Sequence, residues 1–227
     1  IVNKEIRKIL KQVEYNQELI PNLEKAINEL REILLAAKCA ALEVETKLKI
    51  LDEELALRQD RNPIETIKSR IKDVESIINK LERKGLAYER SFVENNINDI
   101  AGIRVVCSYT DDIYEIAKML TSQDDIRLIE TKDYIVNPKP NGYRSLHLII
   151  EVPVFFSHET KRMKVEVQIR TIAMDFWASL EHTLKYKKDE VNCEIAEELK
   201  NCASNIASSD AKMLELRNKI NRTKKVD

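Results

Sequence analysis

From Asn3 to Arg61 the only helix breaker is Pro21, and apolar residues recur at three- and four-residue spacings: Ile6, Ile9, Leu10 and Val13, then Leu23, Ile27, Leu30 and Leu34. That period traces helical faces and predicts two helices, the second long. The other end repeats the pattern. Glu190 to Thr223 holds no Gly or Pro and places Ile195, Leu199, Cys202, Ile206, Met213, Leu216 and Ile220 at mostly helical intervals. Both stripes predict packing or oligomerisation surfaces rather than chemistry.

Between them the period changes. The apolar run from Ile100 to Tyr109 predicts a strand, DDIYEIAKMLTS a helix, and RLIETKDYIV, SLHLIIEVPVFF and KRMKVEVQIRT three further strands. In the last of these Met163, Val165, Val167 and Ile169 point one way, and Lys164, Glu166, Gln168 and Arg170 the other. That alternation fits an ordinary half-exposed strand as well as a working face. Upstream, IETIKSRIKDVESIINKLERKG predicts a strand through about Ile71, a helix capped by Asp73, and a stop at Gly85. The only glycines are Gly85, Gly102 and Gly142, so tight turns belong to the centre and the flanks are helical. The chain divides accordingly into a helical segment 1–61, a central domain 62–189 and a C-terminal helix 190–227.

Composition narrows the function. With 43% hydrophobic residues the chain can build a real core, and 38 basic against 39 acidic residues give a net charge of −1. No global field draws it to nucleic acid or anionic lipid, so any anion site is built locally. No apolar run is long enough to span a bilayer, and the start IVNKEIRKIL lacks the h-region of a secretory signal. A cytoplasmic location is expected. Cys39, Cys107, Cys193 and Cys202 are scattered without a C-x-x-C pair, which argues against disulfides and a zinc knuckle.

Three constellations carry candidate chemistry. Arg70 and Lys72 lie two apart at a strand exit, Ser76 falls in the next helical turn, and Lys80 lies four residues on. Donors converging on a helix N-terminus suit phosphate, although the lysines alone also fit a solvated helix face. Asp99 precedes a strand whose Gly102 allows close approach and whose Arg104 interrupts an apolar run. If that strand neighbours the one carrying Glu166, the two carboxylates form a plausible Mg²⁺ site completed by substrate phosphates. The third is the loop NPKPNGYRSLH, which sets Lys139, Tyr143, Arg144 and His147 beside turn residues that need none of them.

In this order the stretches resemble the synthetase domain of the RelA/SpoT homologues, specifically the stand-alone small alarmone synthetases. The matching motifs are R-x-K-x-x-x-S-x-x-x-K (Arg70 to Lys80), DIAGIR (Asp99 to Arg104), KDYI-x-x-PKPNGYRSLH (Lys132 to His147), EVQIRT (Glu166 to Thr171) and WASLEH-x-x-x-YK (Trp177 to Lys187). The resemblance implies a nucleotidyltransferase-like α+β fold: a mixed, largely antiparallel sheet of about five strands flanked by helices. It implies pyrophosphate transfer from ATP to the ribose 3′-hydroxyl of GDP or GTP, releasing AMP. By resemblance Arg70, Lys72, Ser76, Lys80 and Arg104 serve ATP, and Asp99 and Glu166 hold Mg²⁺ and are the catalytic carboxylates. Tyr143 stacks on guanine, with Lys132, Lys139, Asn141 and His147 around the acceptor and Gln168 and Arg170 lining its side. A homotetramer closed by terminal helices is expected. So is synthesis without hydrolysis, because none of His147, His158 and His182 is followed by Asp. The alternative is a relative that pyrophosphorylates tRNA 3′ ends or makes adenosine products, which would need a wide basic entrance.

Overall fold

The computed structural model describes residues 20–58, 61–83, 90–186 and 193–223. The predicted first helix and the Gly85 stop lie outside the described residues. Helix α1 (Ile20–Arg58) carries Pro21 in its first turn, where a missing amide costs no intrahelical hydrogen bond. Then follow β1 (Ile64–Ile71), α2 (Val74–Arg83), α3 (Arg90–Asn96), β2 (Ala101–Cys107), α4 (Thr110–Thr121), β3 (Arg127–Asp133), β4 (Leu146–Phe155), β5 (Thr160–Thr171), α5 (Ile172–Tyr186) and α6 (Cys193–Thr223). The predicted strands are all present. Helices α3 and α5 are additions to the reading from periodicity.

The five strands form one sheet in the order β1-β2-β5-β4-β3. β2 and β5 run parallel, and the other pairings are antiparallel. The mixed, largely antiparallel expectation is met. One face is apolar: Ile103 and Val105 of β2, Val165, Val167 and Ile169 of β5, and Leu148 and Ile150 of β4 are buried in a single core. Helix α1 covers it with Ile33, Ala37, Ala40, Val44 and Leu48, whose three- and four-residue spacing keeps them on one stripe. Helix α4 adds Ile113, Ile116 and Leu120. Burying a side chain of this size contributes about 1.5–3 kcal/mol.

Helix α5 follows β5 without a loop, its first turn capped where the Met174 amide donates to the Thr171 hydroxyl at 3.2 Å. Helix α6 is docked at three points. The Trp177 indole donates to the Leu199 carbonyl at 3.0 Å, and the buried Thr171 hydroxyl donates to Asp210 at 2.7 Å. Farther along, Arg217 pairs with Asp111 and lies 4.7 Å from the centre of the Tyr109 ring. Arg61 lies 5.0 Å from the same ring and pairs with the buried Asp112. Among the described residues no helix is long and apolar enough to cross a membrane.

Candidate active site

Cross-strand register builds the second face of the sheet. Lys68 of β1 stands opposite Arg104 of β2, Arg104 opposite Gln168 of β5, Gln168 opposite His147 of β4, and His147 opposite Lys132 of β3. Directly paired residues share a face, so this polar row crosses all five strands. One pleat along, Arg70 pairs with Gly102 and Gly102 with Glu166. The Arg70 side chain lies over Gly102, with its Cγ and Nε 3.5 Å from where a Cβ would stand. A cavity of about 230 Å³ opens there, lined by Lys68, Arg70, Gly102, Arg104 and Gln168 among others. A larger one, about 360 Å³, lies between α1, α3 and the β4–β5 hairpin and contains none of the predicted site residues.

Beside the row, Asp99 gathers two lysines. Lys72 donates to one carboxylate oxygen at 2.8 Å and Lys80, from α2, to the other at 2.7 Å. Burial pushes the Asp99 pKa up, but the two lysine hydrogen bonds and charges outweigh it, and the net shift is downward. Ser76 is engaged locally: its amide and its hydroxyl both donate to Asp73 at 2.7 Å, which makes Asp73 the predicted helix cap.

Glu166 is held from both sides. The Gln168 amide donates to one oxygen at 2.8 Å, and His147 Nδ1 stands 3.2 Å from the other. The opposite imidazole nitrogen, Nε2, lies 2.8 Å from the Tyr143 hydroxyl. Arg170 donates to the Gln168 carbonyl at 2.7 Å and to the Tyr143 hydroxyl at 3.4 Å. The Tyr143 hydroxyl can accept from Arg170 and donate to Nε2. In that tautomer the imidazole proton is on Nδ1, aimed at Glu166. Two hydrogen-bonded paths therefore start at Arg170 and end on the two oxygens of one carboxylate. Burial pushes the Glu166 pKa up; the His147 contact and the Gln168 hydrogen bond overcome this and lower it, while the charge of Asp99 opposes them. The two carboxylates therefore feel each other, and the strand that Asp99 precedes is the neighbour of the strand carrying Glu166.

The NPKPNGYRSLH loop supplies the aromatic part. Gly142 has φ +90°, as the Asn-Gly turn requires, and its amide donates to the Lys139 carbonyl at 2.8 Å. Arg144 closes the loop by donating to the Ile135 carbonyl at 2.7 Å. Asn141 accepts from the Tyr143 amide at 3.2 Å and donates to Glu181 of α5 at 3.0 Å, so it shapes the loop. Lys139 lies 4.9 Å from the Tyr143 ring centre and 4.6 Å from that of Tyr134. Tyr134 packs edge-on to both Tyr143 and His147.

Most predicted site residues thus meet on one face. Arg170, expected to line the acceptor side, is only 2% exposed and reaches that side through its hydrogen bonds to Gln168 and Tyr143. Sequence reasoning passed over Tyr134 and Asp175. Tyr134 could have been found as the aromatic of the KDYI stretch. Asp175 is an acid in the first turn of α5, and one of its oxygens stands 3.4 Å from both Arg104 and Arg170.

A family model described as "Region found in RelA / SpoT proteins" matches residues 69–191. GTP pyrophosphokinase YwaC of Bacillus subtilis is 44% identical over 200 residues, spanning 88% of this chain and 95% of the relative. The crystal structure of small alarmone synthetase 2 from Bacillus subtilis superposes with a TM-score of 0.77 at 45% identity, covering 84% of this chain and 99% of that one. Small alarmone synthetase 1 from the same organism, solved bound to its product pppGpp, gives a TM-score of 0.78 at 33% identity over 84% of this chain and 97% of that one. Family model, sequence relatives and fold agree with the polar face just described: the chain belongs to the RelA/SpoT family.

Proposed function

We propose that this chain transfers a pyrophosphoryl group from ATP to the ribose 3′-hydroxyl of GDP or GTP, making ppGpp or pppGpp and releasing AMP. The observation that carries the reading is Glu166, held on both oxygens by the Tyr143–His147 and Arg170–Gln168 paths, one strand from the Arg70–Gly102 cavity. The acceptor base stacks at Tyr143, with Lys132, Lys139 and His147 toward its sugar and phosphates. The donor triphosphate lies over Gly102 among Arg70, Lys72 and Lys80, and its adenine end lies at Arg104.

In the reaction the 3′-oxygen attacks the β-phosphorus in line. The new 3′-O–Pβ bond forms as the bond from Pβ to the bridging oxygen breaks, and that oxygen leaves with AMP. Glu166 is ionised at neutral pH, and with its orientation fixed it accepts the hydroxyl proton. Little covalent work falls to the protein, so positioning and charge dominate.

The donor set suits Mg²⁺. Asp99 and Glu166 lie close enough to interact electrostatically, and no cluster of three or more His, Cys, Asp or Glu able to cage a metal exists among the described residues. Asp99 and Glu166 would hold one Mg²⁺, with water and substrate phosphates as its other ligands, and it would supply positive charge to offset that of the transferred group. Lys72 and Lys80 would then exchange Asp99 for nucleotide phosphates.

The same reading extends to a homo-oligomer, a tetramer as the family resemblance implies, acting in the cytoplasm. Exposed apolar stripes support assembly: Leu35, Leu42, Ile50 and Leu57 on α1, Ile172, Phe176, Leu180 and Leu184 on α5, and Met213, Leu216 and Ile220 on α6. The test of function is direct. Purified protein with ATP, Mg²⁺ and GMP, GDP or GTP should give AMP and a 3′-pyrophosphorylated guanosine nucleotide on anion-exchange chromatography. No transfer to any guanosine nucleotide would overturn the reading.

A further inference from the structure

Arg104 and Arg170 present a problem of like charge. They lie on the same polar face one pleat apart, since Arg104 pairs with Gln168 and Val106 with Arg170. Arg170 is almost fully buried, and both burial and the Arg104 charge disfavour its cationic form. Its hydrogen-bond partners, Gln168 and Tyr143, are neutral. The charge that offsets both guanidinium groups comes from Asp175, one of whose oxygens is 3.4 Å from Nη1 of each. The helix N-terminus supports a negative charge at that position, and the Thr171 cap fixes the turn that carries it.

We propose that Asp175 is a positioning residue that ties the two substrate pockets together, holding Arg104 on the ATP side and Arg170 on the guanosine side with one carboxylate. The inference rests on the proposed function for the identity of the two pockets. Arg170 in turn anchors both paths that orient Glu166, so a shift in Asp175 reaches the reacting hydroxyl without touching it. The cluster is tight but not saturated: the Nε atoms of Arg104 and Arg170 and the shared Asp175 oxygen are buried without a close hydrogen bond. Asp175 is the carboxylate the two guanidinium groups share, and the other hydrogen bonds of Arg170 go to neutral groups.

The test uses the full chain. Asp175→Asn keeps the shape and removes the charge, so KM for ATP and KM for GDP should each rise roughly tenfold when assayed well below the variant's own melting temperature, where circular dichroism shows it folded. Asp175→Glu, which restores the charge one methylene farther out, should recover part of both. On an Arg104→Ala background, Asp175→Asn should no longer change KM for ATP but should still raise KM for GDP. Unchanged KM values in Asp175→Asn, or a loss of kcat that simply follows a lower melting temperature, would overturn the inference while leaving the activity in place. A wild-type protein that forms no guanosine product would instead overturn the proposed function, and the two-pocket role of Asp175 with it.

Discussion

At the scale of single residues, Tyr143 has two jobs that substitutions can separate. In the proposed reaction its ring is the stacking surface for the acceptor base, worth about 1–3 kcal/mol, so Tyr143→Ala should weaken GDP roughly 5- to 150-fold by calorimetry and spare a non-hydrolysable ATP analogue. Its hydroxyl holds His147 at 2.8 Å, so Tyr143→Phe should keep GDP affinity and lower kcat as Glu166 loses one of its two supports. Weakened ATP with unchanged GDP in Tyr143→Ala would move this loop to the donor side. Acid behaviour gives a second residue-level expectation. Asp99 and Glu166 titrate below their ordinary values of 3.8 and 4.5. A carboxylate with a depressed folded pKa adds stability that is complete above its unfolded value and is lost as pH falls through the folded one. Asp99→Asn should therefore cost about 1–3 kcal/mol near neutral pH, with the gap to wild type closing only below about pH 4 in denaturant titrations. A gap that persisted unchanged into that acid range would show that Asp99 is not stabilised as its anion by Lys72 and Lys80.

At the scale of elements, α6 acts as a wall behind the NPKPNGYRSLH loop. A Cβ on Gly142 would stand 2.6 Å from the Ala203 Cβ, in a backbone conformation with φ +90° that disfavours any side chain. Gly142→Ala should loosen the loop and raise KM for GDP more than KM for ATP; adding Ala203→Gly should relieve the clash but not the backbone, so recovery should be partial. Asp210 tests the same docking with the opposite sign from Asp99. Burial raises its pKa more than the Thr171 hydrogen bond lowers it, so its ionised form costs stability above the ordinary aspartate range and not below it. Asp210→Asn keeps an acceptor for Thr171 and should match or exceed wild-type stability at pH 7, with any gain vanishing near pH 4. These elements also mark how far the sequence could be read. The alternation in KRMKVEVQIRT placed Glu166, Gln168 and Arg170 on the polar face, because period 2 survives any tertiary context. It could not show that Arg170 is buried, since that depends on α5 beginning directly at Ile172 with no Gly or Pro to announce it. Asp175 was illegible for the same reason. Lys72 and Lys80 were legible as a donor cluster, but their pairing to Asp99 joins residues on separate elements that local spacing cannot connect.

At the scale of the whole molecule, the site exists because one parallel pairing, β2 with β5, inserts the strand of Glu166 between those of Arg104 and His147. The strands were legible one by one, but this order was not, because strand pairing is non-local. The helical stripe of α1 was legible as a packing surface, and the fold divides it in two. Ile33, Ala37, Ala40, Val44 and Leu48 face the sheet, while Leu35, Leu42, Ile50 and Leu57 recur at intervals of seven or eight residues on the exposed side. A helix apolar on both sides calls for cover on both, and among the described residues of one protomer only the first side has it. The second side is where the proposed self-association would take place. Light scattering at micromolar protein should give a mass above the 26.4 kDa of one chain. Leu42→Glu combined with Ile50→Glu should reduce that mass while leaving the protomer's circular dichroism unchanged, because both positions lie outside the core. A wild-type protein that runs as a monodisperse monomer would end the assembly proposal and leave the exposed stripe without a partner from its own kind.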